Sequence, residues 1–291
     1  MEVVRLGGDS IEVEVLPELG ARLHRLRAFG HDLLRTPDDP ATHARDPFFW
    51  GAYVMAPWCN RIDAGRITAA GRVVDLAANF VDGSAIHGQV YARAWESRGD
   101  GVFRVAAGGD GWPWPYEVTQ RIDVEADALT VELVLVNRSD APMPAGIGLH
   151  PWFRAPVEVA IHAASVYPSN TRSRASSVPV DGIHDLRGRA AMAPGVDATW
   201  TDVEEPPVQL AWPDARIGAT LRTEGTASHV TAASRVDLGA VAVEPQTHAP
   251  QGLRRLLSGE PGALSQLEPG ASLRLVIALE MTSTRPPGGG R

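Results

Sequence analysis

The sequence predicts an all-β fold, one large antiparallel β-sandwich or barrel, and three observations carry that expectation. Tyr116, Val118, Gln120, Ile122 and Val124 alternate with polar residues, and Leu129, Val131, Leu133 and Leu135 do so again beyond a Glu125-Ala126-Asp127 break. Such period-two alternation on both sides of a turn is the mark of an antiparallel hairpin. The 29 Gly and 23 Pro recur at short intervals, which suits many short strands joined by turns. No stretch shows a 3.6-residue apolar period, and no fixed-period repeat occurs.

Taken in order, Ile11, Val13 and Val15 alternate with Glu12 and Glu14, giving a half-buried strand that turns at Pro17 to Gly20. Leu23, Leu26, Leu33 and Leu34 flank a Gly30 turn and predict a second hairpin, and the Pro-rich stretch from Asp38 to Asp46 predicts a loop. An aromatic, apolar run from Phe48 to Trp58 ends at Asn60-Arg61, so these two polar residues are expected at a strand end. Asp63-Ala64-Gly65 turns the chain into a strand from Arg66 to Thr68, and Ile86-His87-Gly88 follows a loop. Short strands are expected at 157–162, 208–212, 219–222, 229–232 and 273–279. The Ser-, Gly-, Pro- and Arg-rich stretch from Ser169 to Asp197 is expected to be a long loop, and 285–291 a disordered tail. Residues 1–284 are expected to form a single domain, since all-β sandwiches commonly run to about 200–250 residues as one unit.

Composition narrows the function. A net charge of −8 argues against a nucleic-acid or anionic-membrane surface and leaves a neutral small molecule as the expected partner. All 27 basic side chains are Arg, which removes lysine Schiff-base, pyridoxal-lysine and P-loop-lysine chemistry together. Cys59 is the only cysteine, so there is no internal disulfide and no Cys-based zinc or iron–sulfur site. The nine histidines show no His-x-x-x-His or His-x-His spacing, and no Gly-x-Ser-x-Gly occurs, so neither a metal site nor a serine triad is expected. The N-terminus lacks a signal pattern and no apolar run reaches about 18 residues. A cytoplasmic location is the expectation.

Chemistry concentrates at a few polar residues beside apolar runs. His150, in Gly148-Leu149-His150-Pro151-Trp152-Phe153, sets a titratable imidazole among apolar neighbours, which hold its pKa within working range. Glu244, in Val241-Ala242-Val243-Glu244-Pro245-Gln246, is a carboxylate where an apolar run stops against proline, and it is the expected acid–base partner of His150. Asn60-Arg61, His87 and Asp197 complete the set, all expected at the strand ends where sandwich loops gather. The ordinary roles are a salt bridge for such an arginine, a satisfied loop contact for such a histidine and a surface acid for such a glutamate. Trp50, Trp58 and Trp152 lie close in sequence to these groups, and aromatic faces suit the apolar C–H patches of sugar rings.

Read together and in this order, several motifs resemble the aldose 1-epimerase (mutarotase) family. They are Leu19-Gly20-Ala21-Arg22-Leu23, Asn60-Arg61-Ile62 with Gly65-Arg66, and Ile86-His87-Gly88. Trp112-Pro113-Trp114-Pro115-Tyr116 and Val136-Asn137-Arg138-Ser139 follow, then His150-Pro151-Trp152-Phe153 and Glu244-Pro245-Gln246-Thr247. The resemblance implies the galactose mutarotase-like supersandwich. It implies His150 as general acid and Glu244 as general base, with Asn60, Arg61, His87 and Asp197 as substrate-binding positions. It further implies a cofactor-free enzyme that interconverts the anomers of a monosaccharide as a monomer or homodimer, with a bell-shaped pH dependence set by Glu and His. Two other functions fit the same residues. One is an epimerase for a phosphorylated or otherwise anionic hexose, for which Arg22, Arg25, Arg172 and Arg174 are available. The other is a non-catalytic sugar-binding sandwich.

Overall fold

The computed structural model describes residues 1–169 and 175–284. The expected tail and two of the four arginines considered for an anionic sugar, Arg172 and Arg174, lie outside the described residues. Among those described, 18 strands join one sheet, whose long ladders are antiparallel. The expected hairpin pairs Tyr116 with Asn137 at its open end and Val124 with Leu129 at its turn.

The sheet doubles over into two layers. In one layer, successive neighbours are Ile11–Leu16, Arg22–Ala28, Ala52–Met55, Gly148–Arg154, Ala240–Gln246 and His229–Arg235. The other runs from Ile217–Gly225 through Ser272–Ser283 and Ala128–Asn137 to Trp112–Val124 and Val102–Gly109. Asp197–Trp212, a strand of 16 residues, belongs to both: its first five residues pair with His229–Arg235 and its last five with Ile217–Gly225. Leu23, Leu149 and Phe153 of the first layer face Leu129, Leu221 and Ile277 of the second across the apolar core.

Side chains alternate across each strand, and this decides where chemistry can sit. Along Gly148–Arg154, the odd positions Leu149, Pro151 and Phe153 enter the space between the layers. His150 and Trp152 therefore point to the opposite face of the same layer, where they line a separate cavity.

Two expectations are corrected. Thr42–Arg45 forms one helical turn inside the expected 38–46 loop. Gly252–Ser258 is a second helix, entered through Gln251 at φ 62° and closed by Gly259 at φ 67° in the left-handed cap conformation. Seven residues span two turns, too few to display a 3.6-residue period. Among the described residues no helix is long and apolar enough to cross a membrane.

Candidate active site

Five residues stand in a row across five adjacent strands: Tyr53, His150, Glu244, Thr231 and Thr199. Tyr53 pairs with His150, Glu244 with Thr231, and Thr231 with Thr199. The register that joins Gly148 to Gln246 and Trp152 to Ala242 sets His150 opposite Glu244. The imidazole Nε2 lies 3.1 Å from Oε1 of Glu244, and both side chains are at most 5% exposed. The Tyr53 ring stacks on His150 with centroids 4.6 Å apart, and the two threonine hydroxyls meet at 2.6 Å. His150 Nδ1 and Glu244 Oε2 make no hydrogen bond.

This corrects the expectation that both residues sit at strand ends. They lie inside Gly148–Arg154 and Ala240–Gln246, each beside a proline that cannot donate to a ladder. Pro151 and Pro245 face each other's strand between Gly148↔Gln246 and Trp152↔Ala242, the stretch these two strands leave without ladder pairs, while each stays in register with its other neighbour, Ala52 and Val230.

Above the row opens a cavity of about 280 Å³. His150, Glu244, Asn60, Arg61, His87 and Asp197 all line it. Asn60 and His87 meet at the end of the short ladder between Arg61–Asp63 and Ser84–Ile86. Both adopt left-handed backbone, φ 54° and 61°, a conformation costing an ordinary residue roughly 1–2 kcal/mol. The following Gly88 is obligatory, since a Cβ there would lie 2.0 Å from the Ala56 carbonyl oxygen. The Asn60 N–H donates to His87 Nδ1 at 3.3 Å, so a neutral His87 carries its proton on Nε2. Arg61 bonds Asp82 at 2.8 Å, approaches Asp197 at 3.6 Å and lies over the Phe80 ring.

Electrostatics separates the floor from these residues. Burial pulls the His150 pKa down to about 3, helped by the charges of Arg22 and Arg61. Burial pushes Glu244 well above the carboxylate range, with Asp197 adding to the rise and Arg61 opposing it. Burial also holds His87 far below an ordinary imidazole, with His150 and Arg61 adding to the effect. Burial thus favours the uncharged form of both members of the floor pair.

The aromatic surroundings differ from expectation in part. Trp152 lines the cavity, whereas Trp58 packs against Trp112 in the core and Trp50 is held by Asp46 and covered by Arg35. The remaining aromatic lining comes from Phe48, Phe49, Phe80 and Tyr53. Arg235, Thr231 and Ser234 are further lining residues that no motif singled out. They belong to His229–Arg235, where the sequence signal was only that of a strand. Arg22 and Arg25 are absent from the lining.

A two-layered antiparallel sandwich with a dry imidazole–carboxyl pair beneath a polar and aromatic cavity defines a protein equipped for proton transfer on a small ligand. The family model for aldose 1-epimerase matches residues 2–202, and the chain belongs to that family. A candidate aldose 1-epimerase from Escherichia coli K12 has the same fold, with TM-score 0.82 at 21% identity, covering 97% of this chain and 99% of that one. A galactose mutarotase-like protein from Clostridium acetobutylicum gives TM-score 0.83 at 17% identity over 97% of this chain and 95% of its own. The uncharacterized protein YphB of E. coli K12 is 28% identical over 114 residues, a stretch spanning 38% of this chain and 39% of that protein.

Proposed function

We propose that this protein interconverts the α and β anomers of a free, neutral aldohexose, with residues 1–284 acting as one domain around the shared core. The observation that carries the reading is the His150–Glu244 contact at 3.1 Å, dry and facing a cavity small enough to suit a monosaccharide. Ring opening removes a proton from the anomeric hydroxyl and delivers one to the ring oxygen. Glu244 accepts the first and His150 donates the second; after rotation about C1–C2, reclosure reverses both transfers. The reaction is redox-neutral, so it needs no electron carrier.

The pKa directions favour the uncharged pair, so the carboxylate–imidazolium form that starts ring opening is the costlier one and arises by proton transfer across the 3.1 Å contact. When the ring opens, the pair passes from carboxylate and imidazolium to carboxylic acid and neutral imidazole. Burial favours the uncharged forms of both groups, so it stabilises the arrangement that accompanies the open chain. Each positioned transfer typically contributes ~10²–10⁴-fold. His87, with its proton on Nε2, Asn60, Arg61 and Asp197 would orient the ring and its hydroxyls.

A neutral sugar is favoured over an anionic one. Arg22 is spent on buried contacts within the fold, and Arg25 pairs with Glu14 and Asp32. The two arginines that line the cavity are already paired, Arg61 with Asp82 and Asp197, Arg235 with Asp237. A bare binding module would gain nothing from burying a carboxyl and an imidazole together, since such burial is costly. Polarimetry on freshly dissolved α-glucose, α-galactose and glucose 6-phosphate tests the reading. Acceleration on the free sugars is expected; saturable sugar binding without acceleration would overturn it.

A further inference from the structure

The chain segment that brings Phe48 and Phe49 to the cavity belongs to no strand or helix, so its backbone needs partners from elsewhere. It finds them in side chains, carbonyl by carbonyl. Pro47 O accepts from Arg22 at 2.8 Å, and Phe48 O accepts from the Tyr53 hydroxyl at 3.1 Å and the Trp152 indole at 2.6 Å. Phe49 O accepts from Arg35, and Trp50 O accepts from Arg22 at 3.2 Å. Gly51 then closes the segment at φ +65°, where a Cβ would lie 2.3 Å from Leu23 O.

Arg22 is the centre of this arrangement. Its side chain is 1% exposed, and each of its five N–H groups has an acceptor: Leu19 O, His43 Nδ1, Trp50 O, Pro47 O and Tyr91 O. A guanidinium can only donate, so His43 Nδ1 accepts and His43 Nε2 carries the proton. That proton is donated to His24 Nδ1 at 2.9 Å, and His24 Nε2 in turn faces Glu14 at 3.9 Å. Arg35 holds the segment from the other side, with its guanidinium 3.3 Å over the Trp50 ring and its Nε on Leu238 O.

We propose that Phe48 and Phe49, carried by the segment 47–50, form a preorganised stacking wall for the apolar C–H face of a pyranose, and that Arg22, His43 and Arg35 are positioning residues that hold it from behind. The inference rests on the sugar-binding part of the function proposed above. Phe48 and Phe49 present half-buried rings to the cavity, tied into a continuous cluster with Phe80, Tyr91 and Trp152 at centroid distances of 5.0–6.3 Å. A wall whose backbone is fixed before the ligand arrives loses little freedom on binding, which favours affinity in the ground and transition states alike. Loosening it therefore raises KM and leaves kcat in place.

The test compares His43→Gln, which keeps one acceptor and one donor, with His43→Leu, which keeps neither, and with Arg35→Met. Glucose and galactose are the probes, read by calorimetric Kd and by polarimetric KM and kcat, with circular dichroism and melting curves to establish folding. His43→Gln is expected to stay within about twofold of the unmodified protein. His43→Leu and Arg35→Met are expected to raise Kd and KM about tenfold, with kcat within about twofold. Unchanged Kd and KM in folded Arg35→Met and His43→Leu would overturn the wall; if His43→Leu fails to fold, Arg35→Met alone decides. An unmodified protein that binds no monosaccharide overturns it also. If the protein binds sugar without accelerating anomer exchange, the catalytic reading falls and the wall is judged on Kd.

Discussion

The floor and the rim of the cavity are built on opposite principles. Floor residues Tyr53, His150, Glu244 and Thr231 project from neighbouring strands, are almost wholly buried and owe their positions to sheet register. Rim residues Arg61, Asp197 and Arg235 sit at strand starts and ends, with side chains between 15% and 41% exposed, and satisfy one another or nearby carboxylates through ion pairs. The dry floor shifts its titrations; the wet rim screens its charges. On the proposed function, proton transfer would belong to the rigid part, and choice of sugar to the part that substitution can alter without disturbing the sheet.

The largest effect should come from the floor. His150→Ala and Glu244→Ala are each expected to lower kcat by ~10²–10⁴-fold, and the double variant should be little worse than either single one, because the two act as a unit. Rates near those of the unmodified protein in either single variant, measured by polarimetry, would break the contrast at its centre.

Acidity probes the same dry side. The pH expectation from sequence, a bell shaped by ordinary Glu and His titrations, is revised by burial: His150 falls to about 3 and Glu244 rises, so the limbs move apart. On the acid side the rate should stay level down to about pH 5, falling only as pH nears the His150 value. An acid limb centred near 6.5, the value of a solvated imidazole, would place His150 in water. Stability should behave differently. Burial lowers His24 and His87, takes His43 to about 2, His150 and His229 to about 3 and His248 to about 4. Since the unfolded chain takes up these protons first, histidine-linked stability is whole above about pH 6.5 and is lost progressively as pH falls toward 3. Urea midpoints at about pH 7.5 and about pH 5 should show the drop, and equal midpoints would count against neutral buried rings.

Rim changes should be milder. Asp197→Asn removes a charge facing Arg61 and turns one acceptor oxygen into an amide donor, and if Asp197 accepts from the sugar's hydroxyls an increase in KM of about tenfold with kcat largely kept is expected, the value of one charged hydrogen bond. A collapse of kcat instead would move Asp197 into the chemistry. Arg235→Ala breaks an exposed pair with Asp237 and a contact over Phe49, and should change KM by no more than about fivefold. A larger loss would mark Arg235 as a sugar-binding residue.

Much of this was legible in the sequence for identifiable reasons. Alternation at Tyr116–Val124 and Leu129–Leu135 reports one-sided burial directly, and the structure pairs those residues in register. The six polar residues singled out do share one cavity. The strand positions of His150 and Glu244 were not legible because Pro151 and Pro245 look like strand breakers, and only the neighbours on the other side, Ala52 and Val230, show the strands continuing through them. Phe48, Phe49, Phe80 and Arg235 carried no local signal, since they reach the cavity through chain crossings far apart in sequence. Arg22 was visible as part of a motif, but nothing in that motif reveals that its five donors are all used inside the fold.

Mounting the proposed acid–base pair within strands has an evolutionary consequence. Inserting one residue between Gly148 and Leu149, or between Ala242 and Val243, would turn His150 or Glu244 into the apolar core and present Leu149 or Val243 to the cavity instead. Loops around the mouth can lengthen or shorten freely by comparison. Lineages of this protein should therefore diverge by length changes at the rim while these two strands vary by substitution alone.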